Sequence, residues 1–206
     1  MNINIILTFA IIFFSLVLHE VSHGQAAKML GDDTAEKMGR LSLNPLKHID
    51  PVGTIIVPLL LVLFSTLTGM RPFVFGWAKP VPVNPFNLKN PKRDMALIAW
   101  SGPASNLFLA LIFGLIIRFG GVFNFTPQVT SFLFTVVFLN ILWAVFNLVP
   151  LPPLDGSKIL FYFLKNNDLE EMLSRYSMMF LVLFIYFGIP ILQNITYALT
   201  MLLIGV

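Results

Sequence analysis

The sequence predicts an all-α polytopic membrane protein, with five to six transmembrane helices and a short irregular or strand-like membrane-associated segment. Three observations carry this. Hydrophobic residues make up 57% of the chain and charged residues 11%, against about 25% charged in a soluble domain, and the mean hydropathy is +0.84. The apolar residues fall in separate runs, each long enough for the ~20 residues that a span requires. Between the second and third runs lies a proline-rich stretch that no helix can hold. No polar stretch is long enough for a soluble module, so residues 1–206 are read as one domain.

The runs follow in order. The first extends from about Ile3 to Leu30. It has no basic start and no small-residue cleavage site, so it reads as a retained span and not as a cleaved signal. The second is VGTIIVPLLLVLFSTLTGM, 52–70. Residues 71–93 hold Pro72, Pro80, Pro82 and Pro85 together with Gly76, and are expected to be extended or re-entrant. Such backbone is tolerated at membrane depth only against protein or water. The third span is 95–119 and the fourth 130–149, followed directly by PLPPLDGSKILFYFL. The last, 176–206, is long for one helix, and Pro190 either kinks it or splits it in two.

The net charge is +3 and the pI about 9.3. The basic residues sit between the apolar runs, as topology anchors and not as a nucleic-acid surface. Lys28, Lys37, Arg40 and Lys47 lie in 24–51, Arg71, Lys79, Lys89, Lys92 and Arg93 lie in 71–93, and 120–130 holds no basic residue. The positive-inside rule places both basic loops in the cytoplasm, so either the region between them goes in and comes back or the rule fails for one loop. Cysteine is absent, which excludes disulfides, thiolate ligands and a cysteine nucleophile.

Ionisable groups in an apolar span are costly and point to function. The chain has three histidines, and two of them fall four residues apart in the first span, in HEVSH. On a helix His19 and His23 share a face one turn apart, so both imidazoles can close on one metal ion. Glu20 lies beside that ion without needing to bind it, and can take and pass on a proton of the attacking water. Two histidines on one helix face cannot sandwich a haem.

A catalytic zinc site needs a third protein ligand. With no cysteine, His48 and the carboxylates remain. Asp32, Asp33, Glu36, Asp168, Glu170 and Glu171 fall in charged loops and read as solvated; Asp50 and Asp94 flank spans and read as caps. Asp155 differs, with no charged residue in the preceding 36 positions. Pro150, Pro152 and Pro153 break the helix before it, and Asp155-Gly156 opens a new apolar helical stretch. Asp155 there is either an N-cap or a buried carboxylate whose cost a cation resolves. Asn147, eight residues earlier, can donate to an oxyanion or cap the broken helix.

HEVSHG in the first span, SGPASN at 101–106 and NLVPLPPLDG at 147–156 together resemble the site-2 protease family of intramembrane zinc metalloproteases. GRLSLNPLKHIDPVGT, 39–54, resembles the loop of that family's compact bacterial and archaeal branch. The resemblance covers about residues 10–165. It implies one Zn2+ per chain, held by His19, His23 and Asp155, with Glu20 as general base and Asn147 orienting substrate or stabilising the tetrahedral intermediate. It also implies that Gly102, Pro103 and Asn106 pack against the catalytic helix, with Gly102, Ala104 and Ser105 small enough for close approach and Asn106 the one that reaches the site. It leaves His48, in the loop motif, as a supporting residue without a catalytic role.

The implied reaction is hydrolysis of peptide bonds within or next to transmembrane segments of membrane-protein substrates, in regulated intramembrane proteolysis. The implied partners are a transmembrane protein substrate, the lipid bilayer and a regulatory membrane protein, with no nucleic acid. The implied location is a prokaryotic plasma membrane. Relatives often carry an extra span, a peptide-binding PDZ domain or a nucleotide-sensing CBS domain; none is expected here, so substrate choice rests on the membrane portion or on partners. The stretch AKPVPVN, 78–84, is either an edge for strand addition or a proline-rich connector. The competing class is a non-catalytic zinc-binding membrane protein or transporter. A transporter would show several ionisable sites along a path; this chain shows one cluster, with Glu20 intact.

Overall fold

A computed structural model of the chain describes residues 3–69, 78–120, 124–164 and 167–206. The helices are α1 (Ile3–Met29), α2 (Thr34–Lys37), α3 (Val57–Thr68), α4 (Pro91–Phe119), α5 (Pro127–Asn147), α6 (Asp155–Phe163), α7 (Asn167–Arg175) and α8 (Ser177–Ile204). A π-helical turn, Pro51–Ile56, leads into α3. Five helical stretches are long and apolar enough to cross a membrane: Leu7–Met29, Pro51–Thr68, Pro91–Phe119, Pro127–Asn147 and Ser177–Ile204. The protein is a multi-pass membrane protein of the all-α class.

The expected five to six spans resolve to five among the described residues, because Pro190 lies inside one unbroken α8. Apolar spans tolerate an internal proline where local adjustment satisfies the freed carbonyl. Prolines at the first turns of α4 and α5, and Pro51 at the start of the turn before α3, act differently: they start helices where no N–H partner exists. The strand-like alternative for the proline-rich segment does not hold, since no strand occurs among the described residues. Residues 78–84 carry no regular structure and lead into a 3₁₀ turn at Pro85–Asn87; prolines at 80 and 82 withhold the donors that a ladder needs. The part of that expectation that falls on 71–77 lies outside the described residues.

Helix α4 is the backbone of the bundle, packing against α1, α5, α6 and α8. In lipid no hydrophobic force draws helices together, so close fit does. Ala110 of α4, Val137 and Ile141 of α5 and Ile204 of α8 form one core. Gly114 lets α8 approach; a Cβ there would sit 2.5 Å from Leu203 Cγ. A second core joins Ala27 of α1, Ile98 of α4 and Leu88.

The loops on either side of α3 meet. The Lys79 N–H donates to the His48 carbonyl at 2.9 Å, and Arg40 Nη2 donates to the Lys79 carbonyl at 2.8 Å. The chain therefore leaves this cluster after His48 and is back beside it at Lys79. The loops that carry the basic residues thus lie together at one end of the bundle.

Candidate metal centre

His19 and His23 lie one turn apart on the face of α1 that meets α4, 5% and 9% exposed. Their Nε2 atoms are 3.0 Å apart. Asp155 Oδ2 lies 3.0 Å from His19 Nε2 and 3.3 Å from His23 Nε2. Among the described residues these three form a group able to share an ion. Tetrahedral zinc with ligands at 2.0–2.1 Å sets neighbouring ligand atoms roughly 3.3 Å apart, close to what is observed.

The donor chemistry points the same way. His23 Nδ1 lies 2.7 Å from the Ile98 carbonyl, which can only accept, so Nδ1 carries the proton and a neutral ring turns its Nε2 lone pair inward. His19 Nδ1 faces Asn106 Oδ1 at 2.7 Å, leaving its Nε2 inward too. The carboxylate is an acceptor as well. Three acceptors converging in a buried place need a cation between them. The backing of the site is shaped for the pair: a Cβ on Gly102 would lie 2.5 Å from His23 Nε2 and 2.6 Å from His19 Nε2. The residues present therefore fit zinc.

Asp155 reaches the histidines because the chain breaks before it. It is the first residue of α6, whose N-cap is Leu154, so its carboxylate is not a cap. Gly156 lets the helix start sit on the preceding turn; a Cβ there would overlap the carbonyls of Leu148 and Val149.

Glu20, the residue after His19, ties the site to a neighbouring segment. Its Oε2 accepts from the Val81 N–H at 2.8 Å, in the extended run 78–84. That run is fastened at both ends. Arg40, 7% exposed, holds the Lys79 and Pro80 carbonyls at 2.8 and 3.4 Å. Asp32 accepts from the Asn84 N–H at 2.7 Å, from Asn87 Nδ2 at 2.7 Å, and from the N–H and hydroxyl of Thr34. Gly24 lets the run lie against α1, since a Cβ there would meet Val81 Cγ1 at 2.7 Å. Burial pushes the Asp32 carboxyl up; the hydrogen bonds from Thr34, Asn84 and Asn87 outweigh it and hold the group below the usual aspartate range.

The solvated reading of Asp32 is thus overturned: the residue is fully buried. Its loop is charged, but its partners come from a segment some fifty residues away. Asp50 is a cap as expected, accepting from Val52 and Gly53; Asp94 lies inside the first turn of α4, whose N-cap is Asn90, and accepts from the Asn90 N–H. Asn106 reaches the site. His48 does not join the metal group: it is fully buried and donates from Nε2 to the Ser42 carbonyl at 2.7 Å. Asn147 ends α5 and donates to the Trp143 carbonyl of its own helix at 3.0 Å. The sequence marks Arg40 only as a basic topology anchor and does not single out Asn140; an asparagine in the middle of an apolar span was the available signal for the second.

A cation-seeking cluster of this composition, with a glutamate one residue along and inside a bundle of apolar helices, is the mark of the membrane-embedded zinc metallopeptidases. The family model described as Peptidase family M50 matches residues 122–187. Over 183 residues, 86% of this chain and 78% of the relative, the sequence is 37% identical to the "Putative zinc metalloprotease YwhC" of Bacillus subtilis (strain 168). It is 32% identical over 146 residues to the "Putative zinc metalloprotease Rip2" of Mycolicibacterium smegmatis (strain ATCC 700084 / mc(2)155). It is 29% identical to the protein of the same name in Mycobacterium tuberculosis (strain ATCC 25618 / H37Rv). The two Rip2 matches cover 69% of this chain and 51% of each relative. No solved structure matches. The chain belongs to peptidase family M50, the site-2 proteases, and is a zinc metallopeptidase of that type.

Proposed function

We propose that the chain is a single intramembrane protease domain, acting in a prokaryotic plasma membrane on transmembrane or membrane-adjacent segments of other proteins as part of regulated intramembrane proteolysis. His19, His23 and Asp155 hold the zinc. The observation that carries this reading is the convergence of three acceptor atoms, 3.0–3.3 Å apart, beside the carboxylate of Glu20. When bound there, zinc supplies Lewis-acid activation of water and of the scissile carbonyl.

The chain's own groups do the rest. Glu20 accepts a proton from the attacking water and delivers it to the leaving amine. The Val81 N–H occupies Oε2 and so fixes the carboxylate plane while leaving Oε1 to work. The Asn147 amide, now on the Trp143 carbonyl, exchanges that bond for the substrate carbonyl as negative charge develops there. The substrate helix unwinds locally, because helical carbonyls are shielded. The 78–84 run, beside Glu20 and without regular structure, offers extended backbone against which an unwound segment can lie.

Glu20→Gln tests the general base. The variant is expected to keep one zinc per chain and to lose cleavage by ~10²–10⁴-fold, with uncleaved substrates accumulating in membranes that hold it. Full cleavage by this variant refutes the assignment. A non-catalytic zinc protein predicts no accumulation at all.

A further inference from the structure

Asn140 lies in the middle of α5, in VVFLNILW, fully buried. Its Nδ2 donates to the Val136 carbonyl at 2.8 Å, and its Oδ1 accepts from Asn106 Nδ2 at 3.0 Å. Asn106 Nδ2 also reaches the Ser15 carbonyl at 3.4 Å, and Asn106 Oδ1 faces His19 Nδ1 at 2.7 Å. The four groups make an unbroken line from a backbone carbonyl of α5 to a histidine of α1.

The two histidines are oriented by different means. His23 leans on the Ile98 carbonyl, and a carbonyl cannot be reversed. His19 leans on an amide, which presents an acceptor at one end and a donor at the other. With the amide turned round, His19 would accept at Nδ1, and Nε2, the atom 3.0 Å from Asp155 Oδ2, would carry the proton. That tautomer has no lone pair to give a metal.

We propose that Asn140 is a positioning residue which, through Asn106, fixes the proton of His19 on Nδ1 and so keeps Nε2 free for zinc. Polarity is set at the far end of the line. The Val136 carbonyl can only accept, so Asn140 must present its NH₂ there and its oxygen to Asn106. Asn106 must then give its NH₂ to that oxygen, and its own oxygen to His19. Reversing the line would press Asn140 Oδ1 against the Val136 carbonyl and Asn106 Oδ1 against the Ser15 carbonyl. Two acceptor–acceptor contacts in a dry, low-dielectric interior exclude that arrangement. The residues around a metal ligand commonly set its tautomer in this way; here the deciding group stands two residues back from the ion.

The inference rests on the reading of His19 as a ligand, and the experiment separates the two. Full-length protein labelled with ¹⁵N-histidine is purified in detergent and stripped of metal, and the ring nitrogens are read by long-range ¹H–¹⁵N spectra. Wild type is expected to show His19 as the single Nδ1–H tautomer. Asn140→Leu is expected to show mixed tautomers, with zinc affinity reduced ~10–100-fold in competition with a chelator. Asn140→Asp, as the neutral acid, donates to Val136 and accepts from Asn106, and is expected to restore both. A single Nδ1–H tautomer in Asn140→Leu overturns the proposal. So does equal loss of zinc in the Leu and Asp variants with the tautomer unmoved, which is a packing effect. If His19→Ala binds zinc as wild type does, the ligand reading fails while the tautomer result stands.

Discussion

Asp32 is a fully buried carboxylate and Asp155 a largely buried one, and they are satisfied in opposite ways. Asp32 accepts from two backbone N–H groups, one amide and one hydroxyl. Every donor it could want is supplied by the chain, and the result is a joint between α2 and the 78–84 run. Asp155 faces two imidazole nitrogens whose protons are turned away from it, toward Asn106 and the Ile98 carbonyl. Its nearest neighbours are acceptors. A buried carboxylate surrounded by donors is structural, whereas one surrounded by lone pairs requires a cation. Sequence context does not separate the two: the aspartate in the charged loop is the more deeply buried.

Substitutions can break or sharpen this contrast. The largest effect is expected from Asp155→Ala, which should lose zinc and with it all cleavage. Metal analysis of the purified variant checks this, and wild-type zinc content would make Asp155 a second structural carboxylate. Gly102→Ala should come next, since its methyl group pushes on both imidazoles; zinc affinity by chelator competition should fall by about tenfold or more. Asp32→Asn should leave zinc stoichiometry intact and lower stability by about 1–3 kcal/mol, the cost of unpairing buried donors.

The Asp32 effect has a pH signature. The folded-state pKa is lowered, so its contribution is complete above the unfolded value of about pH 4 and is lost as pH falls through the folded value. Unfolding in detergent across pH should show wild type and Asp32→Asn converging at low pH; a gap that widens on acidification would invert the sign. The smallest effect on the metal is expected from His48→Ala. Its ring is bound to Ser42 and stands apart from the cluster, so zinc content should match wild type. A drop would bring His48 into the site.

Much of the centre is readable from residues alone, because its chemistry is tied to local spacing. Two histidines four apart on an apolar helix can only share a face. An aspartate after a proline break, far from other charge, reads as an N-cap or as a carboxylate beside a cation, and only the family resemblance chose between them. The boundaries of four spans also follow from hydropathy. What the sequence hides is long-range pairing. Nothing near Asp32 announces Asn84 and Asn87, and nothing in GRLS announces that Arg40 takes the Lys79 and Pro80 carbonyls. Of the two readings of 78–84, irregular or strand-like, the structure has the irregular one, because alternation marks a surface but does not supply a partner. Pro190 left the count at five or six; apolar surroundings let one helix run through it.

The order of the parts along the chain sets a timetable. Asp155 follows His19 by 136 residues, which at about 5–20 residues per second is roughly 7–27 s of synthesis. The imidazoles emerge first, then the glycine and asparagine that back them, then Asn140, and last the carboxylate. If His19, His23 and Asp155 hold the zinc as proposed, the nascent chain has only two of the three ligands until Asp155 is made, too few for a closed zinc site. On the proposed ligand set the centre stays incomplete while the first four apolar helices are made, and is completed only after the chain beyond the proline break brings Asp155 to α1.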